Sequence, residues 1–236
     1  MTMVHHWFSR FVVPVFLSFA LALSALPTRA TETAPDVLVQ AAVDEIILAM
    51  NADNGSAAGK RARTRVYIEN NISPLIDYER MMKSAMGISW RTATTDERAE
   101  LTLQFRKLLV NLLSGLIIEH QDKVIDFYAH IGATDTVAAV RVKIKDGSQE
   151  VASMTIFMEK SGNSWKAYNV EIGQASIIAM YQNQFRDEVR RGGIPGLINA
   201  LKKQNVRAEK ITSMNSPRTT EIVLGLIYSY LVNLPK

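Results

Sequence analysis

The chain has 236 residues, 27 Lys and Arg against 23 Asp and Glu for a net charge of +4, and no cysteine. Disulfides and thiol metal ligands are thereby excluded, and so small a basic excess, never concentrated on an aromatic-rich stretch, argues against a nucleic-acid surface. Hydrophobic residues make up 47% of the chain, enough for one domain with a sizeable core.

His5, His6 and Arg10 precede an apolar run over residues 11–23, and Thr28 and Ala30 occupy the minus-three and minus-one places of a cut after Ala30. This pattern predicts a cleavable signal peptide over residues 1–30; Pro14 and the Pro27, Arg29 break argue against a membrane anchor, which needs roughly 20 apolar residues. Arg10 and Arg29 leave with it, so the secreted product is closer to neutral than the whole chain. The expected organisation is residues 1–30 as signal, 31–205 as one domain, and 206–236 as a C-terminal extension of open role.

Residues 37–50 place Val39, Val43, Ile46, Ile47 and Met50 at helical spacing, with Asp36 as the expected cap. A loop by composition, 51–59, leads to a second helix over 60–71 with Val66, Tyr67 and Ile68 inward. Its start carries Lys60, Arg61, Arg63 and Arg65, ordinarily a solvated face and otherwise a contact for acidic headgroups or an acidic partner. After Ser73-Pro74, a short helix over 76–86 brings Met81, Met82 and Met86, side chains that fill irregular apolar gaps.

The longest helix is predicted from Thr94. Thr94 with Glu97 forms a capping-box signature, and Asp96 and Glu97 suit the positive end of the helix dipole. Leu101, Phe105, Leu108, Leu109, Leu112, Leu113, Leu116 and Ile117 recur at intervals of three and four, and Leu103, Val110 and Ile118 widen the arc, so this helix is expected to be mostly buried. Four strands follow at 124–131, 136–145, 150–159 and 164–172, parted by turn signals. Ala138, Val140, Val142 and Ile144 alternate with Ala139, Arg141, Lys143 and Lys145. The third strand sets Ala152, Met154, Ile156 and Met158 on one side, and the fourth Tyr168, Val170 and Ile172. One face of this sheet is apolar and the other wet. The expected fold is α+β: an antiparallel four-stranded meander covered by the long helix and further helices, with an apolar cavity between.

Ser176 is expected to cap a helix reaching about residue 191, with Ile177, Tyr181, Phe185 and Val189 four apart. Gly192-Gly193 stops it, and Pro195 opens another helix through Leu197, Ile198 and Leu201. From 206 a basic, polar linker is predicted before the apolar run 222–232, which is too short to span a membrane as a helix.

Chemistry-bearing patterns are sparse. His120 and His130 lack metal-pair spacing and read as boundary residues, and neither a P-loop nor a GxSxG elbow occurs. No catalytic residue, metal or cofactor is therefore expected, and the protein reads as a non-enzyme. The enzymatic alternative, an isomerase or dehydratase pocket, would need a buried acid with a tyrosine donor, such as Asp126 or Asp135 with Tyr128. A third possibility is a transporter accessory subunit with a filled core. The greasy inventory suits a carrier better, because roughly thirty methylenes in two acyl chains at about 0.8 kcal/mol each demand an enclosed apolar wall.

The run ISPLIDYERMMKSAMGISWRTATTDERAELTLQFRKLLVNLL, residues 72–113, resembles the MlaC family of periplasmic phospholipid-binding proteins, also called toluene-tolerance auxiliary proteins. A second run, residues 168–204, is similar to that family's other signature through Glu171, Gly173, Ala175, Ser176, Tyr181, Gln184, Phe185, Gly193 and Leu197. Ala175-Ser176-Ile177 departs conservatively from its usual valine, serine and leucine or methionine. The resemblance implies an NTF2-like sheet with a deep cavity holding phospholipid as cargo. It also implies a soluble periplasmic shuttle between an outer-membrane lipoprotein-porin complex and an inner-membrane ABC transporter with an MCE-domain subunit, serving outer-membrane lipid asymmetry. The positions it marks for lipid contact are Phe105, Leu109, Leu112 and Leu116 on the helix, Val140, Val142, Met154, Ile156, Val170 and Ile172 on the sheet, and Tyr181 and Phe185 opposite. Arg61, Arg63, Arg186, Arg190 and Arg191 are candidates for docking partners.

Overall fold

The computed structural model describes residues 33–52, 55–120, 122–128 and 134–213; the expected signal peptide, His130 and the apolar run 222–232 lie outside the described residues. Its organising element is α4, Thr95–Glu119, and the capping box that starts it is complete: Glu97 N–H donates to Thr94 Oγ1 at 3.2 Å while Thr94 N–H donates to Glu97 Oε2 at 2.8 Å. Two of the four orphan donors at the helix start are thus satisfied locally. Thr95–Ile118 is long and apolar enough by composition to cross a membrane; Leu101, Phe105 and Val110 are fully buried, but Leu112, Leu113, Leu116 and Ile117 are half-buried, so α4 is less covered than the expected mostly buried helix. Leu103, expected inside, is 45% exposed, because the apolar arc is wider than the surface that covers it.

Upstream, α1 (Pro35–Asn51) begins with Pro35 at its first turn, and Asp36 sits inside that turn without capping, so the expected cap is displaced to the backbone of Ala34. Helix α2 (Ala57–Tyr67) starts earlier than its composition suggested, because Ser56 Oγ accepts from Gly59 N–H. Ile68 is fully buried as expected, whereas Val66 is 59% exposed. A π-helical turn at Ile68–Ile72 and a 3-10 turn at Ser73–Leu75 lead into α3 (Tyr78–Met86), which is capped by Asp77 and buries Met81, Met82 and Met86. The π turn is held to α4 by the Glu69–Arg106 ion pair, with Arg106 Nε donating to Glu69 Oε2 at 2.7 Å.

The sheet is an antiparallel meander in the order β1-β2-β3-β4-β5: β1 Val124–Tyr128, β2 Val137–Asp146, β3 Gln149–Ser161, β4 Ser164–Ile172 and the short β5 Ala175–Ser176. Four strands were expected; β5 is a two-residue return that pairs Ala175 with Ile172. Strand β4 also departs from simple alternation. Its register against β3 shifts between Phe157 and Met158, so that Trp165 and Ala167 are buried on one side of the shift. Tyr168 consequently leaves the cavity face; its ring lies 6.4 Å from Phe157, with the Arg80 guanidinium 4.1 Å above it. A bulge moves one residue out of phase, and a strict two-residue period cannot foresee it.

Helix α5 runs Ile177–Ser213 with a sharp break at Gly193, whose φ of 66° and ψ of −168° is a conformation essentially reserved for glycine. Ser176 Oγ accepts from Ala179 N–H at 3.3 Å, the expected cap. Past the break the helix continues without interruption through residues 206–213, which were expected to be linker. Asn205 fixes this stretch to α4 by donating from Nδ2 to both the main-chain and the side-chain oxygen of Gln104, each at 2.9 Å.

Candidate functional site: an apolar slot between helices and sheet

Between α1, α4 and the apolar face of the sheet lies a cavity of about 170 Å³. Helix α4 contributes Leu109, Leu112, Leu113, Leu116 and Ile117 to its wall, residues three and four apart and therefore on one face. The facing wall is built by alternate strand residues: Ile125 of β1, Val142 and Ile144 of β2, Met154, Ile156 and Met158 of β3, and Ala167, Val170 and Ile172 of β4. Helix α1 supplies Val39, Val43, Ile46 and Ile47, and the turns before α3 supply Ile72, Leu75 and Ile76. Met81 and Ile177 complete it where α3 and α5 approach.

One helical turn before Leu109, Phe105 packs with Tyr181 and Phe185 in an aromatic cluster with centroids 5.2 to 5.8 Å apart, and Leu109 belongs to the same buried cluster. From Leu109 to His120, α4 rises about 16 Å along the slot. His120 ends α4 and lines the cavity, the single polar side chain among the described lining residues.

Several polar groups near the slot are paired within the structure. Behind the wall formed by Ile72 and Leu75, Tyr78 OH and Ser73 Oγ share a hydrogen bond of 2.9 Å, and burial holds the Tyr78 hydroxyl above its ordinary pKa. Asp126 is paired with Lys145 at 2.5 Å, Tyr128 is exposed beside Lys143, and Asp135 is exposed as well. The acid and tyrosine arrangement that an isomerase pocket requires is therefore not assembled by these residues. No group of three or more His, Asp and Glu that could hold a metal occurs among the described residues.

A family profile described as MlaC protein matches residues 40–203. The chain belongs to the MlaC family. The toluene tolerance protein ttg2D of Pseudomonas putida is 23% identical over 174 residues, which span 73% of this chain and 80% of that protein. Among solved structures, a phospholipid-binding protein from Ralstonia solanacearum, determined in complex with a phospholipid, is similar with a TM-score of 0.67 at 25% identity. That match covers 75% of this chain and 99% of the other.

Within this MlaC-family fold, eight of the twelve positions expected to touch lipid line the cavity: Leu109, Leu112, Leu116, Val142, Met154, Ile156, Val170 and Ile172. Four do not. Phe105, Tyr181 and Phe185 pack on one another, and Val140 is fully buried in a cluster with Val39, Ala138, Met158, Trp165 and Ala167. Sequence reasoning missed the contribution of α1, although its spacing of Val39, Val43 and Ile46 was visible, because periodicity shows that a face is buried and not what it faces. His120 sits at the end of α4, the boundary expected of it, and also stands in the wall. Of the basic residues considered for docking, Arg190 and Arg191 pair with Asp187 and Glu188 on their own helix, and Arg186 is exposed.

Proposed function

We propose that the protein is a periplasmic phospholipid carrier that takes acyl chains into the slot between α4 and the sheet and leaves the headgroup toward the His120 end. What supports this reading most is the composition of the slot: every described lining residue except His120 is Val, Ala, Ile, Leu or Met. Such a wall offers acyl chains a transfer free energy of about 0.8 kcal/mol per methylene and offers a reaction no acid, base or nucleophile set. The family assignment and the phospholipid in the Ralstonia relative point the same way.

A cavity of about 170 Å³ is smaller than two acyl chains, so loading parts the walls. Met81, Met154 and Met158 suit that adjustment, since unbranched thioethers re-pack at small cost. The carrier shuttles between an outer-membrane lipoprotein-porin complex and an inner-membrane ABC transporter with an MCE-domain subunit, and so maintains outer-membrane lipid asymmetry.

Purification from a periplasmic extract followed by native mass spectrometry and organic extraction tests the carrier function. Phospholipid in near-stoichiometric amount is the expected result; folded protein with no lipid, before and after incubation with phospholipid vesicles, would contradict it.

A further inference from the structure

His120 is anomalous in this wall. It is half-buried, and its Nδ1 is shielded from solvent without any hydrogen-bond partner among the described residues. A buried polar atom left unpaired is unfavourable, and such exceptions in a folded protein call for a partner. Water is a poor candidate. A buried water holds its place through two to four polar contacts, and the described lining offers no second polar side chain beside His120.

The position within the slot narrows the choice. Leu109 belongs to the buried aromatic cluster and His120 lies at the far end of the same helix face, so a molecule with its hydrocarbon on Leu109, Leu112 and Leu116 brings its polar junction to His120. The local charge narrows it further. His120 closes the C-terminus of α4, where the helix dipole is negative, and the carboxylate of Asp122 stands two residues on. An anionic oxygen is disfavoured there relative to a neutral acceptor. Lys123, the nearby cation in the sequence, is already paired with Asp146 at 2.8 Å and Asp122 at 3.2 Å.

We propose that His120 Nδ1–H donates a hydrogen bond to an ester carbonyl oxygen at the glycerol end of a bound acyl chain, and so fixes how deep the lipid sits and selects ester-linked over ether-linked chains. This rests on the carrier function proposed above. It makes His120 a specificity-determining residue in a slot whose other contacts are non-directional.

The test uses ¹⁵N-histidine-labelled protein, with the ring signals of His120 identified by their loss in His120→Phe, which keeps a planar aromatic ring and removes the donor. Delipidated protein is loaded from vesicles of diester phosphatidylcholine or of its diether analogue, and native mass spectrometry counts bound lipid in each sample. The Nδ1 resonance is expected to shift on loading with the diester and not with the diether. In competition the wild type should favour the diester roughly fivefold, as expected of one neutral hydrogen bond, and His120→Phe should show no preference. Bound diester with an unshifted Nδ1 overturns the proposal while leaving the carrier function intact, and an equal shift with both lipids replaces the carbonyl by the phosphate. Absence of bound lipid in the wild type overturns the carrier function itself.

Discussion

The Phe105 ring meets Tyr181 edge-on, with centroids 5.5 Å apart and planes at 89°, in the buried cluster that also holds Leu109, one helical turn on. Phe105 is fully buried, and Phe185 lies 5.8 Å on its other side. Truncation to Phe105→Ala is expected to cost about 3–5 kcal/mol, since the aromatic neighbours cannot collapse into the space. Urea unfolding measures it. A loss below about 1 kcal/mol would mean that the cluster is not rigidly packed.

Filling the slot separates its walls from the ordinary core. Leu116→Trp and Val142→Trp place an indole in the cavity and should lower the phospholipid recovered per protein by more than half while circular dichroism stays unchanged. Val140 is as buried as Val142 but does not line the cavity. Val140→Trp should instead destabilise by about 1–3 kcal/mol through overpacking. A phosphorus assay on the three variants, with thermal melts, reads both effects.

The Asn205–Gln104 pair anchors the last part of α5. Both residues are buried, and Asn205→Ala leaves two oxygens of Gln104 without the Nδ2 donor. The expected loss is about 1–3 kcal/mol. Hydrogen exchange should rise at residues 206–213 and remain unchanged in β2 and β3.

Tyr67 carries a pH dependence. Its hydroxyl donates to Glu45 Oε2 at 2.7 Å, and burial, then that bond and the Glu45 charge, push its pKa up from 10.0 to about 12. A folded-state pKa above the unfolded value means that the protonated phenol favours the fold. That contribution is complete below pH 10 and is lost as pH rises through about 12. Unfolding free energies measured across this window should fall more steeply for the wild type than for Tyr67→Phe.

Much of the fold was legible in the chain. The capping box at Thr94 and Glu97, the bounds of β4, the Ser176 cap and the break at Gly193 each follow from a local residue choice with one structural outcome. The cavity lining was legible in part, and the positions that fall outside it share a cause. Burial of Phe105 and Phe185 could be read from spacing, but an aromatic that packs on another aromatic and one that faces a cavity have the same sequence pattern. Tyr168 was misplaced because the register shift between Phe157 and Met158 has no local signature in β4. His120 gave no signal, since a lone histidine at a helix end is ordinarily a surface residue; only the wall around it makes it distinctive.

The location of the acyl chains is tested most directly by crystallising the protein loaded with a phospholipid brominated along its chains and mapping the anomalous bromine signal. The peaks should run between Leu112 and Leu116 of α4 and Val142, Met154 and Val170 of the sheet, with the phosphorus at the His120 end. Bromine peaks on the outer face of the sheet, or a lipid held with its chains away from this slot, would contradict a carrier built around α4.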